Sequence, residues 1–213
     1  MNVFNKSKFI ENYNSEIPQI IQKELIADIE TPISTFLKIA KDEKYSFLLE
    51  SVEGGDQRGR FSLLGCDPDF VWKVKKNKVI VESLDENLDL SFLSDNPIQS
   101  LKELITFSSI ERDKDAPPFP VLVGYLGYPM IRLMENIELK NPDEINIPDA
   151  LMIRPKIVAV FDNIKDTINI MTSVYPNKKI NADFAIKQAY HLIDKVIKKL
   201  NKDIPVNSLN GVS

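Results

Sequence analysis

The residues with the clearest chemical potential lie at the end of a short apolar strand, where Ser51 precedes a glycine-rich turn. Residues 46–51 are apolar and strand-compatible, and two glycines interrupt the pattern before residues 60–64 resume it. Because side chains alternate across a strand, Ser51 shares one face with Leu49. A hydroxyl at the end of an apolar row, beside a loop that can open onto a ligand, predicts the edge of a binding site.

Three arginines are candidates for contacts with an anionic ligand: Arg58, Arg60 and Arg132. A simpler interpretation is that they lie at the surface or pair with the nearby acids Asp56 and Glu135. The sequence favours this simpler interpretation for each of them.

The patterns of metal sites and of common catalytic sites are absent from the sequence. Residues 54–59, GGDQRG, lack the spacing of a phosphate-binding loop, and the chain contains no HExxH, CxxC or GxSxG. The only histidine, His191, lies in the predicted final helix, and the only cysteine, Cys66, is predicted to be a small buried apolar group. The sequence therefore offers no convincing metal site and no motif that supports a catalytic triad.

Four segments carry a resemblance to a known family. They are LLESVEGG with the following GRFSLLG (residues 48–65), VGYLGYPMIRLMENI (123–137), DEINIPDALMI (143–153) and VAVFDNIKDTINIMT (158–172). In this order they resemble the N-terminal domain of anthranilate synthase component I, a chorismate-utilising enzyme. The resemblance covers most of residues 31–200, and the chain is expected to end where that family's chorismate-binding domain begins.

This resemblance implies a function. The complete enzyme would convert chorismate and glutamine-derived ammonia into anthranilate and pyruvate in tryptophan biosynthesis, with Mg²⁺ as its cofactor and a glutamine amidotransferase as its partner. The catalytic and Mg²⁺-binding residues would belong to the chorismate-binding domain, so this chain is expected to be inactive alone and to bind no cofactor.

The resemblance also implies a role for the candidate site. In the family, the serine of LLES belongs to the site where tryptophan acts as a feedback inhibitor. Carried over by this motif, Ser51 would hydrogen-bond the polar end of tryptophan, with Leu49 and Glu50 beside it. A hydroxyl next to a carboxylate, with apolar neighbours, suits an amino acid that carries an indole.

Two other functions stay open at this point. Component I of aminodeoxychorismate synthase, in folate synthesis, belongs to the same superfamily, although LLES followed by EGG favours the anthranilate branch. The chain is alternatively a non-catalytic binding module that kept the domain without the chemistry.

The pattern of predicted strands and helices around these residues indicates an α+β fold with a mostly antiparallel sheet and flanking helices. The sequence predicts strands at 46–51, 60–64, 70–74, 78–82, 121–126, 151–162 and 167–174. It predicts helices at 33–41, at 128–135, at 184–200 and from Pro97 onwards. Thr31 and Asn181 are the predicted N-caps, and Gly124 indicates a close approach of another backbone or of a ligand. Residues 1–200 form the predicted domain and residues 201–213 a linker or tail.

Composition limits the classes of function. A formal charge of -4 argues against nucleic acid as a partner, because phosphate binding needs a basic surface. No apolar run approaches the roughly 20 residues that span a bilayer, and the polar N-terminus lacks a signal-peptide core. We therefore expect no membrane association and a cytoplasmic protein.

Overall fold

Four α-helices, one 3₁₀ helix and seven strands make up the part of the chain that the structure, a computed structural model, describes: residues 4–52, 58–112, 114, 116–137 and 144–204. The α-helices are α1 (Lys6–Asn14), α2 (Pro32–Ile39), α3 (Pro97–Ser108) and α4 (Ala182–Leu200), and the 3₁₀ helix is Tyr128–Leu133. The strands are β1 (Gln19–Ile26), β2 (Phe47–Val52), β3 (Arg58–Lys75), β4 (Lys78–Ser83), β5 (Val123–Leu126), β6 (Ala150–Asp162) and β7 (Thr167–Val174).

The seven strands form one mostly antiparallel sheet. Its main order is β1-β7-β6-β3-β2, with β4 paired to β3 and β5 paired to β6. The strands predicted at 70–74 and 78–82 pair as the β3–β4 hairpin, and those predicted at 151–162 and 167–174 pair as the β6–β7 hairpin. The prediction of an α+β fold with an antiparallel sheet and flanking helices is confirmed.

The chain divides into two compact units. The first contains Met1–Asp67, Glu111–Phe119 and Ile157–Ser213, and the second contains Pro68–Ile110 and Pro120–Lys156. The long strands β3 and β6 each supply residues to both units.

In the first unit, apolar side chains of α1, α2 and α4 pack against apolar side chains of the sheet and form one core. Helix α4 starts where the side chain of Asn181 accepts a 2.9 Å hydrogen bond from the amide of Phe184, as predicted for an N-cap. Its buried stripe includes Ala185, Ala189 and Ile193, at the spacing of one helix face. Each large aliphatic side chain buried in this way contributes about 1.5–3 kcal/mol.

In the second unit, α3 packs on the strands around Trp72. The helix begins at Pro97, as predicted, with the side chain of Asn96 as its N-cap. The buried indole of Trp72 donates a 2.9 Å hydrogen bond to the hydroxyl of Ser100 on α3, so its one polar atom is satisfied. At the tip of the β3–β4 hairpin, Lys76 and Asn77 both have positive φ, as a two-residue type I′ turn requires.

The structure differs from the sequence-based prediction at Gly65. The sequence predicts that a strand ends there, but β3 continues from Arg58 to Lys75. A side chain at Gly65 would lie 2.5 Å from the ring of Phe47 and 2.9 Å from the carbonyl of Ile157, so this glycine makes room inside the sheet. Asp67, also within β3, has a positive φ of 52°.

Three apolar side chains within the predicted helices are exposed: Ile33, Met134 and Phe184. In α2 the buried positions are Thr35 and Ile39, which shifts the inward face away from Ile33. The segment that contains Met134 is a 3₁₀ helix ending at Leu133, not an α-helix through residue 135, so the expected spacing does not apply.

Candidate functional site

The candidate site lies where β2 pairs with the first residues of β3. Antiparallel pairing sets Leu49 opposite Leu63 and Glu50 opposite Ser62, and the register then shifts before Val52 meets Arg58. Ser51 falls at this irregularity, immediately before the glycine-rich segment. A bulge in an antiparallel pair redirects side chains and interrupts the ladder, which is why bulges recur beside functional sites.

Leu49 and Glu50 are both exposed at this end of β2, on opposite faces of the strand. The side chain of Ser51 lies outside the described residues, so the structure places only its backbone, in β2. The prediction that Ser51, Glu50 and Leu49 bind an effector therefore stays a prediction. What the geometry adds is that β2 lies at the end of the strand order, next to β3.

A buried carboxylate fixes the neighbouring end of β3. Arg60 donates from Nη2 to Oδ2 of Asp162 at 2.9 Å and stacks its guanidinium 4.7 Å from the ring centre of Phe61. Asp162 also accepts from the amide of Ile164 at 3.1 Å, which closes the β6–β7 turn. Burial alone would raise the pKa of Asp162, but these hydrogen bonds hold it below its ordinary value.

Arg60 therefore has a structural role, because its ion pair with Asp162 joins the start of β3 to the end of β6. Its partner is Asp162, 102 positions away in the chain, and the sequence-based suggestion of a pair with the nearby Asp56 did not anticipate it. A second link, from the side chain of Asn163 to the carbonyl of Gly59 at 2.8 Å, holds the same turn against β3. The start of β3 is thus anchored directly after the glycine-rich segment.

The structure places the other two candidate arginines, the tyrosine of β5 and the only histidine in separate elements. Arg132 donates to the carbonyl of Pro129 within its own 3₁₀ helix, and Tyr125 donates to the carbonyl of Pro148 at 3.0 Å. His191 is exposed on α4. Arg58 begins β3, and its side chain lies outside the described part of the chain.

Among the described residues, no group of three or more histidine, cysteine, aspartate or glutamate side chains is placed to hold a metal ion. The same part of the chain contains no helix long and apolar enough to cross a membrane.

Cys66 is buried, as the sequence predicts, and we expect its thiol to be unreactive. Burial raises its pKa to about 12, and the nearby charges of Glu43 and Asp67 add to the effect. Because the thiolate is the reactive form, labelling by a disulfide reagent at pH 8 is expected to be about a hundredfold or more slower in the native protein than in denaturant. Absorbance of the released thiol measures both rates, and equal rates would contradict this prediction.

Comparisons with known proteins identify the class of protein to which this arrangement belongs. The structure matches the crystal structure of anthranilate synthase component I from Streptococcus pneumoniae with a TM-score of 0.52 and 22% identity, covering 85% of this chain and 37% of that one. This likeness shows the fold: the chain has the α+β architecture found in part of that protein.

Sequence comparison gives the family. The chain is 36% identical over 190 residues to anthranilate synthase component 1 of Cereibacter sphaeroides, covering 88% of this chain and 38% of the relative. It is 32% identical over 196 residues to the protein of the same name from Aquifex aeolicus, covering 92% and 38%. No protein-family model matches the chain. The chain belongs to the family of anthranilate synthase component I, and it spans about two fifths of the length of these relatives.

Proposed function

We propose that this chain is the N-terminal part of an anthranilate synthase component I, which forms anthranilate and pyruvate from chorismate and glutamine-derived ammonia. The observation that carries the proposal is 36% identity over 190 residues to a relative with that name. The relatives are longer than the region matched, so the chorismate chemistry is assigned to the part that this chain does not span. A glutamine amidotransferase would supply the ammonia.

The proposed contribution of this chain is regulatory. Ser51 would hydrogen-bond the polar end of tryptophan, Glu50 would meet its ammonium group and Leu49 would contact the indole. Leu49 and Glu50 point to opposite faces of β2, so one ligand touches both only by lying along the edge of this strand. Such a ligand would be half-covered by this chain, and the remaining walls of the pocket would come from the chorismate-binding part.

The complete enzyme is proposed to use Mg²⁺. The described residues do not fit that ion, because none of their carboxylates form a cluster that could hold it. We therefore assign no step of the reaction to Mg²⁺ in this chain.

The second candidate is component I of aminodeoxychorismate synthase. The names of the relatives favour the anthranilate branch, since the proteins from Cereibacter sphaeroides, Aquifex aeolicus and Thermus thermophilus are all anthranilate synthase component 1. A non-catalytic binding module would lack the reaction altogether. Assaying the native assembly for anthranilate and for aminodeoxychorismate separates all three functions.

The regulatory proposal is tested by Ser51→Ala in the native assembly. Losing a hydrogen bond to a charged group is expected to raise the tryptophan concentration for half-inhibition about tenfold or more. Anthranilate synthesis without tryptophan is expected to stay at the wild-type rate, because Ser51 is not assigned to the chemistry. Anthranilate fluorescence across a tryptophan titration measures both.

Ser91→Ala is the matched control, since Ser91 is exposed in the second unit, where the proposal places no ligand. An inhibition curve for Ser51→Ala that overlays the Ser91→Ala curve would contradict the proposed site. Calorimetry on this chain alone adds a separate check. Micromolar tryptophan binding there would contradict a pocket that needs walls from elsewhere.

A further inference from the structure

A small cleft lies in the first unit, where the last turns of α2 and α4 meet β3 and β6, and we call it the α2–α4 cleft. Its volume is about 90 Å³. The floor consists of four buried side chains, each at most 6% exposed: Ile39, Cys66, Ile157 and Val196. Since an apolar cavity of roughly 150 Å³ holds benzene, this cleft admits only a molecule smaller than an aromatic ring.

Charged side chains of both signs complete the lining of the α2–α4 cleft. They are Glu43, Asp67, Lys195 and Lys199. The Nζ atom of Lys199 donates to the carbonyl of Ile39 at 3.2 Å and to Oε1 of Glu43 at 3.0 Å, which joins the last turn of α4 to the end of α2. Lys195 is exposed one helical turn earlier, on the same face of α4. Two positive and two negative groups therefore surround an apolar floor.

The thiol at the floor of the cleft shows that all four charges act there. Burial is the main cause of the raised pKa of Cys66, both acids raise it further, and both lysines lower it. Charges interact more strongly in such a partly water-excluded site than in bulk water. An ion that entered the cleft would therefore interact with groups of both signs.

The backbone brings Asp67 to the cleft in an unusual conformation. Asp67 directly follows Cys66 in β3, and regular alternation would send these two side chains to opposite faces of the sheet. Both residues nevertheless line the α2–α4 cleft, and the φ of 52° at Asp67 breaks the alternation. Left-handed conformations are uncommon outside glycine and cluster at binding sites. The strand thus departs from regular geometry at the residue that supplies a carboxylate to the cleft.

We propose that the α2–α4 cleft binds a short-chain α-amino acid in its zwitterionic form. The carboxylate of the ligand would meet Lys195 and Lys199, its ammonium group would meet Glu43 and Asp67, and its side chain would lie on the apolar floor. A simple anion would be repelled by the two acids and a simple cation by the two lysines, whereas a zwitterion is attracted by both pairs. This site shares no residue with the tryptophan site proposed at β2, and it does not depend on the proposed function.

Saturation-transfer-difference NMR on the native assembly, with alanine as the probe, tests the proposal. We expect alanine to bind with a dissociation constant on the order of 1 mM and its methyl group to receive saturation from the apolar floor. Acetate and methylammonium each carry only one of the two charges and are expected to bind at least about tenfold more weakly. Phenylalanine is expected not to displace alanine, because its ring is too large for the cleft.

Two matched pairs of variants locate the binding site. Asparagine tolerates the left-handed conformation as aspartate does, so Asp67→Asn removes the charge and keeps the backbone. Asp166→Asn is its control, because Asp166 has a φ of 49° and is exposed in the same unit, outside the cleft. Lys195→Gln and its control Lys198→Gln change neighbouring lysines of α4, of which only Lys195 lines the cleft. Asp67→Asn and Lys195→Gln are each expected to weaken alanine binding about tenfold or more, and the controls are expected to leave it unchanged.

Ser51→Ala separates this cleft from the proposed tryptophan site, because alanine binding is expected to stay unchanged in that variant. Four results would overturn the inference. They are the absence of saturation transfer to alanine, binding of acetate or methylammonium as tight as that of alanine, equal affinities within either matched pair, and loss of alanine binding in Ser51→Ala. Each is scored whether or not the assembly forms anthranilate, so failure of this inference leaves the proposed function standing.

Discussion

Asp69→Asn is expected to lower the free energy of unfolding by about 3–5 kcal/mol, because it removes the carboxylate charge that pairs with a buried guanidinium. The side chain of Arg154 is only 2% exposed, and its Nη2 lies 2.6 Å from Oδ2 of Asp69. The same guanidinium lies 4.9 Å from the ring centres of Phe70 and Phe107. Burial raises the pKa of Asp69, although the hydrogen bond and charge of Arg154 favour its ionised form.

Urea unfolding followed by tryptophan fluorescence measures this loss of stability. Trp72, the only tryptophan, is buried in the same unit as the ion pair and reports on its unfolding. Asp183→Asn is the control, because its ion pair with Lys6 is exposed on both sides and should change the unfolding curve little.

A double variant distinguishes the loss of one charged partner from the removal of the whole Asp69–Arg154 ion pair. Asp69→Leu combined with Arg154→Met removes both charges and is expected to recover most of the stability lost in Asp69→Asn, since buried ion pairs seldom outperform apolar packing. If Asp69→Asn unfolds at the same urea concentration as Asp183→Asn, the buried pair does not stabilise this unit.

The parts of the fold that the sequence predicts correctly depend on local signals. Thr31 and Asn181 were recognised as N-caps because serine, threonine and asparagine satisfy the free amides of a first helical turn, and both side chains do so. The β6–β7 hairpin was predicted almost to the residue, since its two apolar runs flank a short polar turn. In each case the chemistry lies within a few residues.

The predictions fail where the deciding contact comes from far along the chain. Gly65 was expected to end a strand, but the ring of Phe47 and the carbonyl of Ile157 crowd that position, so glycine is needed within the strand. The partners of Arg60 and Arg154 lie 102 and 85 positions away. No local pattern in a single sequence indicates which carboxylate meets which guanidinium.

The resemblance to a family identifies the candidate site as an effector site. Physical reasoning alone predicts only that a binding site has its edge at the end of this strand. A serine at the end of an apolar strand beside a glycine-rich turn predicts the edge of a site, and Ser51 does lie at a shift in the strand register. The sequence cannot show that Leu49 and Glu50 are both exposed on a strand at the end of the sheet order. Exposure depends on which elements cover a strand, and that follows only from the complete fold.

Gly124→Ala is expected to destabilise the second unit by at least about 3 kcal/mol, at the upper end of the usual cost of overpacking. A Cβ atom at Gly124 would lie 1.8 Å from the carbonyl oxygen of Leu151 and 2.8 Å from its carbonyl carbon. Both atoms belong to the backbone of β6, so no side-chain rotation relieves the clash and the two strands must separate. The sequence-based prediction of a close backbone approach at this glycine is confirmed, and the approaching backbone is that of Leu151.

Two measurements follow this variant. Trp72 fluorescence reports the stability of the second unit, and hydrogen exchange of the amides in residues 150–153 reports the pairing of β6 with β5. Leu126→Ala is the matched control, because it also places alanine in β5 but at an exposed side chain and should leave exchange at 150–153 slow. If the exchange rates at 150–153 match those of Leu126→Ala, the β5–β6 pair accommodates a side chain at position 124, and the prediction is wrong.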